Sequence, residues 1–218
     1  MPALPESIFD IGYLIFAIVS GIRIIMRKSK PEVLLMGVAT LVLGCGDAFH
    51  LVPRVLDYWT AGDHTAALGI GKLITSITMT VFYVLLEYVR IYRYRNGRVQ
   101  KTTVAILILA AVRVALCAFP QNGWTSADAP LSWGIYRNIP FTVIGIITVV
   151  QWFGAAKDEK DDLSLRRLYL AVLLSFAFYL PVVLFAQSIP MMGMLMLPKT
   201  VMYIWMICMF WGAGPKQD

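Results

Sequence analysis

Hydrophobic positions in this chain neither alternate nor recur on one face; they run almost unbroken for about 20 residues at a time, separated by short polar stretches. A helix of that length crosses the hydrocarbon of a bilayer at a rise of about 1.5 Å per residue. Seven such runs lie at residues 8–26, 33–52, 69–88, 103–119, 133–153, 168–187 and 191–211, and each predicts a membrane-spanning helix. A transmembrane β-barrel needs alternating segments of about ten residues, a pattern the chain does not sustain. Because only Ser188, Ile189 and Pro190 separate the last two runs, the main rival has six spans, with those two fused or one re-entrant.

Composition agrees: 59% of residues are hydrophobic, 15% are charged and the mean hydropathy is +0.71, which excludes an ordinary soluble domain. The first run follows an acidic, proline-bearing start, Met1 to Asp10, and is itself long enough to span, so it reads as a first helix rather than a cleaved leader. No repeat, linker or low-complexity tract divides the chain, and residues 1–218 read as one transmembrane domain. Cys45, Cys117 and Cys208 all fall within apolar runs at wide spacing, which predicts buried small hydrophobes and no metal site.

The formal charge of +6 points away from nucleic acid once its distribution is considered, because basic residues cluster at the ends of alternate runs. Arg27, Lys28 and Lys30 follow the first span; Arg90, Arg93, Arg95, Arg98 and Lys101 the third; Lys157, Lys160, Arg166 and Arg167 the fifth; and Lys216 lies in the tail. The intervening connections, Asp57 to Leu68, Gln121 to Leu131 and Ser188 to Pro190, carry no cation of their own. By the positive-inside rule the expectation is an all-α, seven-span, multi-pass cell-membrane protein, N-terminus outside and C-terminus cytoplasmic.

Six cations remain. Arg23 can snorkel to the inner interface, but Arg54, Lys72, Arg113, Arg137 and Lys199 all fall in the half predicted to face outward. Arg113 and Lys199 lie about 9 and 13 Å below the outer ends of their helices. The same half holds Asp47, His50, Thr75, Ser76, Thr78, Thr80, Tyr136, Asn138, Tyr179, Gln187 and Tyr203, whereas the other half offers little embedded polarity. Charges within spans face the bundle interior, pair, or line a wet cavity, so this set predicts a polar pocket. Taken singly, each residue also fits structural work: an Asp47 ion pair with Arg113 or Lys199, lipid-phosphate anchoring by Arg54 and Arg137, hydroxyls bonded back to their own helix. The excess of cations over acids predicts an anionic or amphiphilic ligand, or lipid headgroups, with Arg54, Lys72, Arg113, Arg137, Asn138, Tyr179, Lys199 and Tyr203 as ligand contacts. Pro181 and Pro198 place kinks in the sixth and seventh spans.

Acid/base chemistry has one seat. Asp47 and His50 are three residues apart and share a helix face, and Ser76 is the candidate nucleophile. With only His50 and His64 in the chain, a three-histidine zinc site is excluded, and no cofactor is expected. The segment Leu43-Gly44-Cys45-Gly46-Asp47-Ala48-Phe49-His50-Leu51-Val52-Pro53-Arg54 resembles the Gly-Asp-bearing span of the YhhN-type lysoplasmalogenase-like family. That resemblance implies hydrolysis of a lysolipid vinyl ether with Asp47 as acid/base; the family's other acidic position has no counterpart here. A lysine near the middle of the last span, Lys199, resembles the layout of microbial rhodopsins and implies retinal, although the third span has no acidic counterion at a suitable depth, offering Thr75 and Ser76 there and Glu87 only at its cytoplasmic end. Three functions therefore stand: a hydrolase of a lysolipid or similar amphiphile, a transporter or receptor for a small anionic solute, and a structural membrane protein with paired, dry charges.

Overall fold

The computed structural model describes residues 3–27, 29–126, 128–158 and 163–214; Lys28, Lys160 and Lys216 lie outside the described residues. These fold into seven helices: α1 (Ala3–Met26), α2 (Pro31–Trp59), α3 (Thr65–Tyr94), α4 (Lys101–Ala118), α5 (Leu131–Asp158), α6 (Leu168–Phe185) and α7 (Met196–Gly212). Every one, counting the 3-10 turn Pro190–Leu195 that leads into α7, is long and apolar enough to cross a membrane, and the described residues contain no strand. The last two runs are thus separate helices. An outward stripe on α1 (Ile8, Ile11, Ile15, Val19, Ile22, Met26) leaves apolar side chains exposed, as a lipid-facing helix does.

The helix ends depart from the apolar runs, and the reason is pairing. α1 begins at Ala3, so Glu6 and Asp10 belong to the helix and are buried, not part of an extended start. α2 continues through Pro53 to Trp59, which reduces the connection to α3 to residues 60–64. There Asp63 accepts a 2.9 Å hydrogen bond from the Thr65 amide at the start of α3, and hydrogen bonding from the Thr65 side chain, then from this amide, holds its carboxyl below the usual carboxylate range. α3 runs on to Tyr94, so Arg90 and Arg93, read from sequence as a cytoplasmic connection, are buried. Glu87, one turn before Arg90, provides the countercharge that lets the helix continue. It ends where Asn96 and Gly97 turn left-handed, at φ of 48° and 74°.

α2 packs closely on both neighbours through small residues. Gly37 and Gly44 lie against Ile25 and Ala17 of α1. On the other side, a Cβ at Gly71 of α3 would fall 2.1 Å from the Phe49 carbonyl oxygen of α2. α7 returns to α1 and α2 and closes the bundle. Its centre is aromatic: Tyr83, Phe141 and Phe176 pack with centroids 4.9–5.5 Å apart. Pro181 lies inside α6, but Pro198 is in the first turn of α7, where its missing N–H breaks no helical bond, so the expected kink there is absent. Of the three cysteines only Cys117 is buried; Cys45 and Cys208 are exposed on the bundle's outer surface.

Candidate functional site

At the end of the bundle where α2 joins α3, α4 joins α5 and α6 joins α7, a cavity of about 650 Å³ opens among α2 to α7. Each contributing helix brings a polar residue from within its apolar run: His50 and Arg54 from α2, Lys72 from α3, Arg113 from α4, Arg137 from α5, Tyr179 from α6 and Lys199 from α7. All five expected cations therefore line one space. Among the described residues its lining contains no carboxylate. Asn138, Thr75, Ser76 and Gln187 also line it, so of the residues singled out from sequence Asp47, Thr78, Thr80, Tyr136 and Tyr203 stand outside, Tyr203 with its ring against Lys199.

Arg113, Arg137 and Lys199 are held by aromatic rings and neutral groups. Arg113 is 1% exposed and stacks on Phe141 at 3.4 Å from the ring centroid. Its Nη2 reaches Asn138 Oδ1 at 3.5 Å, while Nε and Nη1 have no hydrogen-bond partner among the described residues. Asn138 Oδ1 also accepts from the Tyr179 hydroxyl at 2.8 Å, and its amide donates to the Gly134 carbonyl. Lys199 is 6% exposed and touches the rings of Tyr179 and Tyr203, 4.9 and 5.0 Å from their centroids. It has neither ion pair nor hydrogen bond among the described residues.

The α4–α5 connection covers the mouth. Arg137 donates to Asn122 Oδ1 at 2.8 Å and stacks on Trp124, whose indole donates to the Cys117 carbonyl. Asn122 in turn ties down the carbonyls at the end of α4. The Trp124 carbonyl lies so close to Gly69 of α3 that a Cβ there would fall 1.5 Å from its oxygen. Gln187, after α6, donates to the Ala129 carbonyl. Asn122, Trp124 and Phe141 were not picked out from sequence, since none is unusual for its setting; only the fold brings them together.

The proposed acid/base set is divided. Asp47 is buried behind the cavity and accepts a 2.7 Å hydrogen bond from Tyr13 of α1 through Oδ2. No hydrogen bond joins it to His50, whose Nδ1 has no partner among the described residues. The Ser76 hydroxyl donates to the Lys72 carbonyl at 2.7 Å, and those of Thr78 and Thr80 also bond back within α3; Thr75 instead crosses to the Gly46 carbonyl of α2. Arg54 is ion-paired with Glu6, which also accepts from Tyr58. Glu6, Asp10 and Tyr13 recur at offsets of four and three on α1, a spacing that marks one buried face once α1 is known to start at Ala3.

No family model, curated protein or solved structure matches this chain. Function therefore has to be read from the cavity. Among the described residues the charged groups of its lining are all cations. Sequence reasoning also missed a second buried polar cluster, toward the other end of the bundle. There Arg90 holds Glu87 through two bonds of 2.8 and 2.7 Å, Thr103 donates to Glu87, and Gln100 accepts from Arg90. Gln151 completes the set, its amide oriented to donate to Glu87 Oε2 and accept from Arg90 Nη2, each at 3.0 Å.

Proposed function

We propose that the protein is a multi-pass cell-membrane protein that binds an organic anion in the cavity between α2 and α7. The observation that carries this is a cavity lining with five cations, of which only Arg54 is ion-paired, and no carboxylate among the described residues, with two guanidinium nitrogens of Arg113 and the ammonium of Lys199 unpartnered among those residues. Buried cations held by aromatic rings rather than carboxylates retain their attraction for an incoming anion. The cavity is several times larger than a phosphate or carboxylate alone needs, and Phe141, Met79, Val182, Val183 and Met196 supply apolar wall. The ligand is accordingly an amphiphilic anion: a charged head at Arg113, Arg137 and Lys199 and an apolar body toward α6 and α7. Arg95, Arg98, Arg166 and Arg167 crowd the opposite end of the bundle, which supports a cytoplasmic C-terminus, an external N-terminus and a cavity that opens outward.

A second reading, hydrolysis of a lysolipid by a YhhN-type enzyme, rests on His50, which lines the cavity with an open Nδ1. It lacks a carboxylate bonded to that imidazole, so binding is the reading the geometry favours.

The test uses purified protein in lipid nanodiscs and 1-naphthalenesulfonate, an amphiphilic anion whose charge is independent of pH and whose fluorescence reports binding. Saturable binding is expected, and Arg113→Met weakens it about 10- to 100-fold, the range for losing hydrogen bonds to a charged group. Wild-type affinity in Arg113→Met overturns the proposal.

A further inference from the structure

Along the seam between α1 and α2, behind the cavity, Glu6, Asp10 and Tyr13 face Asp47 and Arg54. The two ends of this row are satisfied: Glu6 pairs with Arg54 and accepts from Tyr58, and Asp47 accepts from Tyr13. Between them Asp10 is 4% exposed, and its Oδ2 has no hydrogen-bond partner among the described residues. Three groups act on Asp10: Arg54 and Asp47 across the seam on α2, and Glu6 on its own helix. Those acting on Asp47 are Lys199 and Tyr203 from α7 and Tyr13 and Asp10 from α1. The single guanidinium of the row is engaged by Glu6, so Asp10 and Asp47 share a seam with no cation bonded to either among the described residues.

We propose that Asp10 and Asp47 form a proton-binding site coupled through Lys199 to the anion cavity. A carboxylate with neither a bonded cation nor a full set of donors is costly inside a bilayer, and a proton is the one ligand that fits where no metal-holding group of acidic or imidazole side chains exists among the described residues. Lys199 is the link: it lines the cavity, has neither ion pair nor hydrogen bond among the described residues, and feels the charge of both Asp47 and Arg113. An anion at the cavity wall draws the ammonium toward itself and leaves Asp47 without its nearest cation. A proton from the medium then adds to a carboxylate oxygen of the pair, so one anion and one proton enter together and net charge is unchanged. By linkage, protonation in turn strengthens anion binding.

This inference rests on the anion-binding reading, and the experiment separates the two. 1-Naphthalenesulfonate affinity is measured in nanodiscs across acidic to neutral pH, with calorimetry in two buffers of different ionisation heat. In the wild type, affinity rises as pH falls, with a slope approaching about tenfold per pH unit, the limit for one linked proton. The binding heat then shifts between buffers by one proton taken up. The double variant Asp10→Asn with Asp47→Asn binds with a flat pH profile and buffer-independent heat. If that variant does not fold, the same calorimetry on His50→Gln decides: one proton still taken up supports the carboxylate pair, and none overturns it. Binding that is pH-independent with equal heats in both buffers overturns the proton site and leaves the anion pocket standing; no binding at any pH overturns both.

Discussion

Two buried polar clusters occupy opposite ends of the same bundle, and they are built to opposite rules. Around Glu87 and Arg90, one anion meets one cation, and Thr103, Gln100 and Gln151 take up the remaining donors and acceptors. Neither this pair nor its partners line the cavity of the cation cluster. Around Arg113 and Lys199, cations outnumber acids, rings replace carboxylates as neighbours, and donors are left over beside about 650 Å³ of space. Polarity that serves only to hold helices together closes on itself, because any unmet group in the apolar interior subtracts from stability. Polarity retained for a ligand stays open until the ligand arrives. The closed cluster thus acts as an internal control for the open one.

The strongest way to break this contrast is Glu87→Gln. It leaves Arg90 buried without its countercharge, a loss of about 3–5 kcal/mol of stability. Thermal unfolding of the purified variant is expected at a markedly lower temperature, while the fraction that remains folded binds 1-naphthalenesulfonate with wild-type affinity. Arg113→Met should behave the other way, with lost affinity and stability unchanged or raised, since an unpaired buried guanidinium is removed and its apolar stem preserved. If both variants lose stability and affinity in parallel, the distinction between the clusters fails.

This contrast also marks how far the sequence could be read. Arg113 and Lys199 stand out because each interrupts an apolar run, so a gathering of cations at one end of the bundle was legible from position alone. Glu87 and Arg90 were hidden for the converse reason. A hydropathy pattern ends where charge begins, yet an i, i+3 pair that satisfies itself lets the helix run on buried, and the sequence carries no sign of which charges are paired. Asp10 was hidden likewise, taken as part of the chain's polar start, although its spacing from Glu6 and Tyr13 shows one helix face. Asp47 was noticed but given the wrong neighbour: three residues along a helix suggested His50, whereas the close packing of α1 on α2 supplies Tyr13.

Lys72 sharpens the comparison at the mouth of the open cluster. It is exposed, unlike Arg113 and Lys199, and the nearby Arg54 and Arg137 act on it electrostatically. An exposed cation steers an anion more than it holds it. Lys72→Gln is expected to slow association a few-fold at low ionic strength, with little change in dissociation, and stopped-flow fluorescence reads both rates. The difference should fade once salt shortens the Debye length to about 8 Å, near physiological ionic strength. An effect confined to dissociation would move Lys72 from the approach to the binding wall.

The smallest effect is assigned to Ser76, and its smallness is informative. It lines the cavity, yet its hydroxyl donates to the Lys72 carbonyl within its own helix, as a serine does when it serves the backbone. In this respect it follows the rule of the closed cluster although it lies within the open one. Ser76→Ala removes a hydroxyl whose bond is local, so stability should change by no more than about 0.5 kcal/mol and probe affinity should stay at the wild-type value. A nucleophile would behave differently. Incubation with a lysolipid and analysis of the released products would show turnover in the wild type that vanishes in Ser76→Ala, and that result would convert the cavity from a binding site to a catalytic one.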